Sequence, residues 1–389
     1  MLNITKIKER HKLKKPTGSR LVGCTSLMFE YSQEEDSGNK RIIPCLCFYP
    51  AKHAGEGELK KYASEQILPR SGGIETNSYL NAPICEGKHP LLLFNHGYCM
   101  FLESNTVQCE ELASHGYIVL SIGHQGEGLY ILPDGEVSTI DEEMQKDFLA
   151  HHSKSTEIFQ KYSSWLINEG DHASLEEHTS RYKETMDSQP TLLAHMDVWL
   201  RDSLIALEMF LDNAENQTEW LGKHIDKDRI GSFGMSFGGS AALGLTHLCD
   251  RIKASANLDG FYYNSTWSKP FQKPILLMQH ESETLGSHLL FPFLNSESDS
   301  YLVTVKQCTH ANFTDYTEVM SENEMTKVVI DDKEVEFGVL GDIHPDKMIT
   351  IMNTLLLDFF NTYLKNSSAP FLDKDDQLDD VFIQCKKTI

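Results

Sequence analysis

The chain has 389 residues, with 35 Lys and Arg against 57 Asp and Glu, giving a formal net charge of −22. That excess of negative charge excludes a typical nucleic-acid binder, which needs a basic surface to meet phosphates. Hydrophobic residues at 40% and aromatics at 10% supply a sizeable core and exclude a disordered chain. The length fits one elaborated α/β domain with insertions. Nine cysteines, an odd number scattered without close pairing, point to a reducing compartment and hence a cytoplasmic protein. No CxxC or HExxH pattern occurs, and His151-His152 lacks a second ligand pair, so neither a metal nor an organic cofactor is expected.

Residues 1–20 form a basic arm carrying Lys6, Lys8, Arg10, Lys12, Lys14, Lys15 and Arg20. No apolar run follows it, so a secretory signal is not expected. Its few apolar residues read as a frayed, solvated terminus, with transient contact to an anionic membrane surface as the alternative. No segment approaches the roughly 18 apolar residues of a membrane span.

Two β-rich runs at 22–29 and 42–49 predict antiparallel strands at a sheet edge. From residue 90 onward, short continuous apolar runs recur at 90–94, 118–122, 229–233, 254–258, 274–278 and 301–305. Such runs suit parallel strands covered on both faces. Helical patterns fall between most of them, at 103–115, 192–211 and 239–248, and a last one covers 346–364. This alternation predicts a mostly parallel central sheet flanked by helices, with functional groups at the carboxyl ends of the strands. Residues 125–190 interrupt the alternation as a mainly helical insertion before the 229–233 run. A moving lid and a fixed decoration both fit it. The expected organisation is the arm at 1–20, an α/β domain at 21–364 that carries this insertion, and a solvated acidic tail at 365–389.

At the end of the 229–233 run stands Gly234-Met235-Ser236-Phe237-Gly238-Gly239, leading into a helix. A serine on so sharp a strand-to-helix turn projects its hydroxyl alone, and the flanking glycines relieve the crowding. A neutral serine needs a base, and in this fold the acid and then a histidine follow it in the chain. His310, after the 301–305 run, fits the base, with His280 as rival. Asp259, directly after 254–258 and flanked by apolar residues, fits the acid, with Glu281 and Glu283 in a more polar run as alternatives. An oxyanion needs two backbone N–H groups, one from Phe237 and one from the loop Asn95-His96-Gly97-Tyr98, where Tyr98 is the expected donor. His96 is read as a brace for that loop.

With these residues in place, the chain resembles the platelet-activating factor acetylhydrolase family, in its plasma and intracellular type II branch. Pro16-Thr17-Gly18, Val22-Gly23-Cys24-Thr25 and Leu27-Met28-Phe29 resemble its opening strand, and Phe48-Tyr49-Pro50 its second. Phe94-Asn95-His96-Gly97 resembles the oxyanion loop, and Leu112-Ala113-Ser114-His115-Gly116-Tyr117-Ile118-Val119 the passage after it. The elbow, Leu258-Asp259-Gly260 and His310-Ala311-Asn312-Phe313-Thr314-Asp315-Tyr316 are similar to the nucleophile, acid and base motifs, which strengthens Asp259 over Glu281. Met235 stands where the family usually has His, and Gly123-His124-Gln125-Gly126 where it more often has an acidic-His-Arg-Asp run. The resemblance implies calcium-independent hydrolysis of short or oxidised acyl groups from phospholipids. Alternatives are a carboxylesterase for small soluble esters and a non-catalytic binding protein on a hydrolase fold.

Overall fold

The computed structural model describes residues 4–32, 40–132, 134–212, 218–330, 333–373 and 378–388; the side chains of 147–156, 328–330, 333–335 and 337 lie outside the description. His151-His152 therefore falls outside the described side chains.

The apolar runs form the centre of one large sheet. Its strands are β1 (Leu21–Ser32), β2 (Lys40–Ala51), β3 (His89–Asn95), β4 (Ile118–Ile122), β5 (Ile225–Met235), β6 (Ile252–Leu258), β7 (Ile275–His280), β8 (Ser300–Val305) and β9 (Val381–Lys386). Across the sheet they run β1-β2-β4-β3-β5-β6-β7-β8-β9. Neighbours from β4 through β8 are parallel, whereas β1 with β2, β2 with β4, and β8 with β9 are antiparallel.

The period-2 alternation of a strand explains how one run serves two cores. On β3, Leu91 and Leu93 face a layer containing α4 (Pro190–Asp212) and α5 (Phe237–Leu248), where they meet Trp199, Leu207, Ala241 and Leu245. Leu92 and Phe94 face the opposite layer, formed by α1 (Thr106–Ser114) and α6 (Pro345–Lys365) with Leu112, Phe359 and Phe360. Both faces are dry, which is why these strands read as continuous apolar runs.

The insertion contributes α2 (Glu142–Asn168) and α3 (Leu175–Asp187), preceded by a small hairpin of Tyr130–Ile131 and Val137–Ser138. Asp141 caps α2 by accepting from the N–H groups of Glu143 and Met144, and Ser174 with Glu177 forms a capping box on α3. The two helices share a separate apolar cluster with the ends of the sheet: Tyr162, Trp165 and Tyr182 pack with Phe261, Phe271 and Phe291.

Both chain extremities differ from expectation. The arm is packed rather than frayed: Ile4, Ile7 and Leu13 are buried against Tyr62, Ile67 and Val319. His11–Lys12 also pairs with Ile74–Glu75, and Lys8 N–H donates to Val319 O at 2.9 Å. Few apolar residues suffice here because each one fills the same satellite core. At the other end Val381–Lys386 becomes β9, whose backbone satisfies the outer edge of β8. The expected edge at β1 is likewise covered, by a parallel strand at Ile74–Leu80. A further hairpin of Met325–Ile330 and Lys333–Gly338 lies outside the main sheet.

Candidate active site

Ser236 sits between the last residue of β5 and the first of α5, at φ 57° and ψ −125°. A non-glycine residue is held there only when its surroundings over-determine it. They do so here: Ser236 N–H donates to Leu258 O at 2.9 Å, and Gly239 N–H returns to Ser236 O at 2.9 Å. The glycines at 234 and 238 are required by contact. A Cβ on Gly234 would lie 2.1 Å from Gly238 O, and one on Gly238 would lie 2.1 Å from Asn95 O. The second contact presses the elbow against the 95–98 loop, where Gly97 passes so near that a Cβ would be 3.4 Å from that of Ser236.

Two further strand ends deliver the partners. Asp259 follows β6 at φ 60°, in a turn pinned by Asn257, whose side chain accepts from Gly260 N–H at 2.7 Å and donates to Gly260 O at 2.8 Å. His310 follows β8 and opens a single turn, His310–Phe313; there Asn312 Oδ1 accepts from Thr309 N–H at 2.9 Å and Gly341 N–H at 2.8 Å. The His310 ring is half exposed; its Nε2 lies 2.9 Å from Ser236 Oγ and its Nδ1 2.7 Å from Asp259 Oδ2. Hydroxyl, imidazole and carboxylate thus form one continuous hydrogen-bonded chain. Such a chain can move a proton from the serine while stabilising the imidazolium that results.

Asp259 has more partners than His310. His280 donates its backbone N–H to Oδ1 at 2.8 Å and brings Nδ1 to 2.7 Å from Oδ2, and His288 Nε2 stands 3.5 Å from Oδ1. Burial alone would raise this carboxyl's pKa, yet the charges and hydrogen bonds of His280, His310 and His288 hold it well below the usual carboxylate range. The rivals separate cleanly: Glu281 and Glu283 are exposed, and His280 is bound to Asp259 rather than to Ser236. Among the described residues, no group of three or more His, Cys, Asp and Glu side chains is arranged to hold a metal ion.

These groups open into a cavity of about 520 Å³. Tyr98, Phe237, Phe261 and Tyr263 line it from the sheet side, and Phe159 and Leu192 from the insertion and α4. Tyr98 and Phe237, the residues expected to offer backbone donors, stand together with ring centroids 5.9 Å apart. Ser163 on α2 adds a buried hydroxyl with no hydrogen-bond partner among the described residues. Among the described lining residues none is Lys or Arg.

Behind the 95–98 loop lies a buried polar network that sequence reasoning did not find. Arg41 binds Asp202 through two N–H groups, each at 2.8 Å, and Tyr31 O–H donates to the same carboxylate at 3.0 Å. His124 Nδ1 donates to Asp202 at 3.0 Å, while its Nε2 lies 3.0 Å from the Asn95 side chain. The His124 ring stacks on Trp199 at 3.8 Å, and Trp199 Nε1–H reaches Glu127 at 2.5 Å. Burial would raise the Asp202 pKa, but His124 and Arg41 keep it below its ordinary value; burial lowers that of His124 despite Asp202. The available signal was Asp202 itself, a carboxylate on the helical stripe of Trp199, Ala206 and Leu207. His96 braces the loop as expected, donating from Nδ1 to Gly97 O at 2.7 Å and accepting at Nε2 from Tyr130 O–H at 2.6 Å. Burial and the neighbouring His124 push its pKa down to about 3, so the ring is neutral.

Comparison with known proteins gives the family and the fold. The platelet-activating factor acetylhydrolase, isoform II, family matches residues 64–380. The platelet-activating factor acetylhydrolase of Canis lupus familiaris is 25% identical over 382 residues, covering 91% of this chain and 77% of its own. That of Gallus gallus is also 25% identical, over 366 residues, covering 89% and 82%. Among solved structures, the ferulic acid esterase of Streptomyces cinnamoneus superposes with a TM-score of 0.72 over 96% of this chain and 99% of its own; at 18% identity this speaks for the fold alone. The chain belongs to the platelet-activating factor acetylhydrolase, isoform II, family and is a carboxylic ester hydrolase of the α/β-hydrolase fold.

Proposed function

We propose that Ser236 is the nucleophile, His310 the general base and then acid, and Asp259 the group that orients and charges the imidazole. The observation that carries this reading is the unbroken chain from Ser236 Oγ through His310 to Asp259, at 2.9 and 2.7 Å. His310 Nε2 takes the serine proton as Oγ attacks the ester carbonyl, and the backbone N–H groups of Phe237 and Tyr98 hold the oxyanion. His310 returns the proton to the leaving alcohol. Water, activated by the same ring, then releases the acid from the acyl-enzyme.

The proposed substrates are phospholipid-type esters with short or oxidised acyl groups, cleaved without calcium. A cavity of about 520 Å³ suits a short acyl chain, and the lack of Lys or Arg among its described lining residues leaves the phosphate at the mouth. The same apolar lining supports a second reading, hydrolysis of small soluble esters. Exposed Ile167 and Leu175, on α2 and α3, are the apolar groups we assign to transient contact with a lipid surface. Nine cysteines, an odd number scattered along the chain without close pairing, support a reducing, cytoplasmic location.

The test is hydrolysis of esters from acetyl to palmitoyl, without added calcium, by the wild type and by Ser236→Ala. Activity that falls steeply with acyl length and disappears in Ser236→Ala is the expected result. A Ser236→Ala protein with undiminished turnover would overturn the nucleophile assignment. A flat acyl-length profile would instead remove the short-chain preference.

A further inference from the structure

Tyr98 and Phe237, the two residues read above as oxyanion donors, share one neighbour. Trp199, on α4 and fully buried, stacks on Tyr98 with ring centroids 6.5 Å apart and meets Phe237 edge-on at 5.1 Å. A polar contact fixes the indole between them. Its Nε1–H donates to Oε2 of Glu127 at 2.5 Å, and Nδ1 of His195, one turn earlier on α4, meets the other oxygen. A fully buried carboxylate is costly unless its oxygens are hydrogen-bonded, so pairing both of them to α4 locks residue 127 to that helix.

Glu127 also supports the loop through its main chain. Its carbonyl accepts from Cys99 N–H at 3.0 Å, Leu129 N–H donates to Met100 O at 2.9 Å, and Phe101 pairs with Leu129 as a parallel bridge. The chain after Tyr98 is thus zipped to residues 127–129, so closely that a Cβ on Gly128 would lie 2.9 Å from Met100 O. Cys99 itself stands at φ 62°, a conformation that a non-glycine residue keeps only where its surroundings hold it. Neither Glu127 nor Trp199 lines the cavity.

We propose that Glu127 and Trp199 are positioning residues for the oxyanion hole: the carboxylate–indole pair sets the distance between Tyr98 N–H on the loop and Phe237 N–H on α5. This rests on the serine-hydrolase reading above. The Glu127 side chain decides where its own carbonyl stands, and that carbonyl anchors Cys99, one peptide beyond the Tyr98 N–H. On the other side the Trp199 ring bears on Phe237, the first residue of α5. Oxyanion donors act only within about 2.7–3.1 Å, so small shifts across this clamp count.

Two variants break the pair from opposite sides. Trp199→Phe keeps an aromatic ring between Tyr98 and Phe237 but has no N–H to donate. Glu127→Gln keeps the indole and the side-chain length but turns an NH2 toward one of the two donors. The readouts are kcat and KM on a short-chain ester, affinity for a trifluoromethyl ketone, whose adduct with Ser236 carries the oxyanion, and hydrogen exchange of the Cys99 amide. Folded variants should lose kcat by roughly 10–100-fold, short of losing a donor outright, with KM within about three-fold and ketone affinity falling in step with kcat/KM. The Cys99 amide should be strongly protected in the wild type and exchange faster in both variants. A purely structural role predicts a lower unfolding midpoint with kcat and ketone affinity per folded molecule unchanged, and that result overturns the proposal. A loss confined to KM overturns it as well, because the pair would then serve ground-state binding. Fast exchange of the Cys99 amide in the folded wild type overturns it even if neither variant folds. A wild type that forms no ketone adduct would overturn the nucleophile reading, and Cys99 exchange would still decide whether the pair holds the loop.

Discussion

Gly238 packs directly against the backbone of the 95–98 loop, which makes Gly238→Ala a severe perturbation. The added Cβ would lie 2.1 Å from Asn95 O and 2.3 Å from His96 O, whereas real Cβ contacts essentially never fall below 3.0 Å. Both obstructing atoms are main-chain carbonyls, so no side chain can swing aside. The loop must retreat from the start of α5 by roughly 1 Å, a displacement that in an active site can cost about 100-fold in rate. The oxyanion donors proposed here sit on the two sides of that seam, Tyr98 on the loop and Phe237 on the helix. Because donors act within about 2.7–3.1 Å of the oxyanion, the shift removes one of them, which lowers kcat by about 10²–10³. The overpacking itself should cost about 1–3 kcal/mol of stability. The assay is kcat on a chromogenic acetyl ester, with urea unfolding as the control for folding. A folded Gly238→Ala protein whose kcat stays within about three-fold of wild type would refute the seam argument.

Arg41→Met should destabilise the protein by about 3–5 kcal/mol in urea unfolding, because it strips a fully buried Asp202 of the guanidinium that binds it; a loss below about 1 kcal/mol would place the network's weight elsewhere. Asp259 should give the wild type an acid-sensitive advantage over Asp259→Asn. Its folded-state pKa is depressed, so its contribution is present above the unfolded value of about 3.9 and is lost as pH falls through the folded one. The difference in unfolding free energy between the two proteins should therefore shrink as pH falls below about 4; growth in that range would contradict it. Tyr182, fully buried, stacks on Phe291 at 4.2 Å and donates to Tyr262 O at 2.7 Å. Tyr182→Ala should cost about 3–5 kcal/mol and speed amide exchange across α3, whereas wild-type α3 should exchange as slowly as the sheet. Fast exchange of α3 in the wild type would mean that this helix lifts from the sheet.

The central strands were legible because both of their faces are dry. The runs at 90–94, 118–122, 254–258, 274–278 and 301–305 correspond to β3, β4, β6, β7 and β8 to within a residue or two. The strands outside that core were harder: Ile74–Leu80 and Val381–Lys386 mix buried and exposed positions, and their partners lie far away in the chain. For the same reason the arm read as solvent-bound, since nothing local marks Ile4 and Ile7 as belonging to a core completed by Val319. Ser236, Asp259 and His310 each stand at a strand end, a location that periodicity supplies, and the structure brings all three together. The link between His280 and Asp259 depends instead on register. Leu258 pairs with Met278, which sets the residue after β6 beside the end of β7, and no pattern within either segment encodes that pairing.

The packing of the two chain extremities gives the site a history during folding. The loop bearing His310 is braced from one side by the earliest described residues, through Lys8 with Val319 and Ser321 with Lys6, and its strand β8 is flanked by β9 from residues 381–386. The serine elbow needs neither. A chain emerging from the ribosome can thus shape the Ser236 turn before His310 has a fixed seat, and on the proposed mechanism it should turn over no ester until β9 docks. Clipping at either extremity should silence it again while leaving the serine half of the molecule folded.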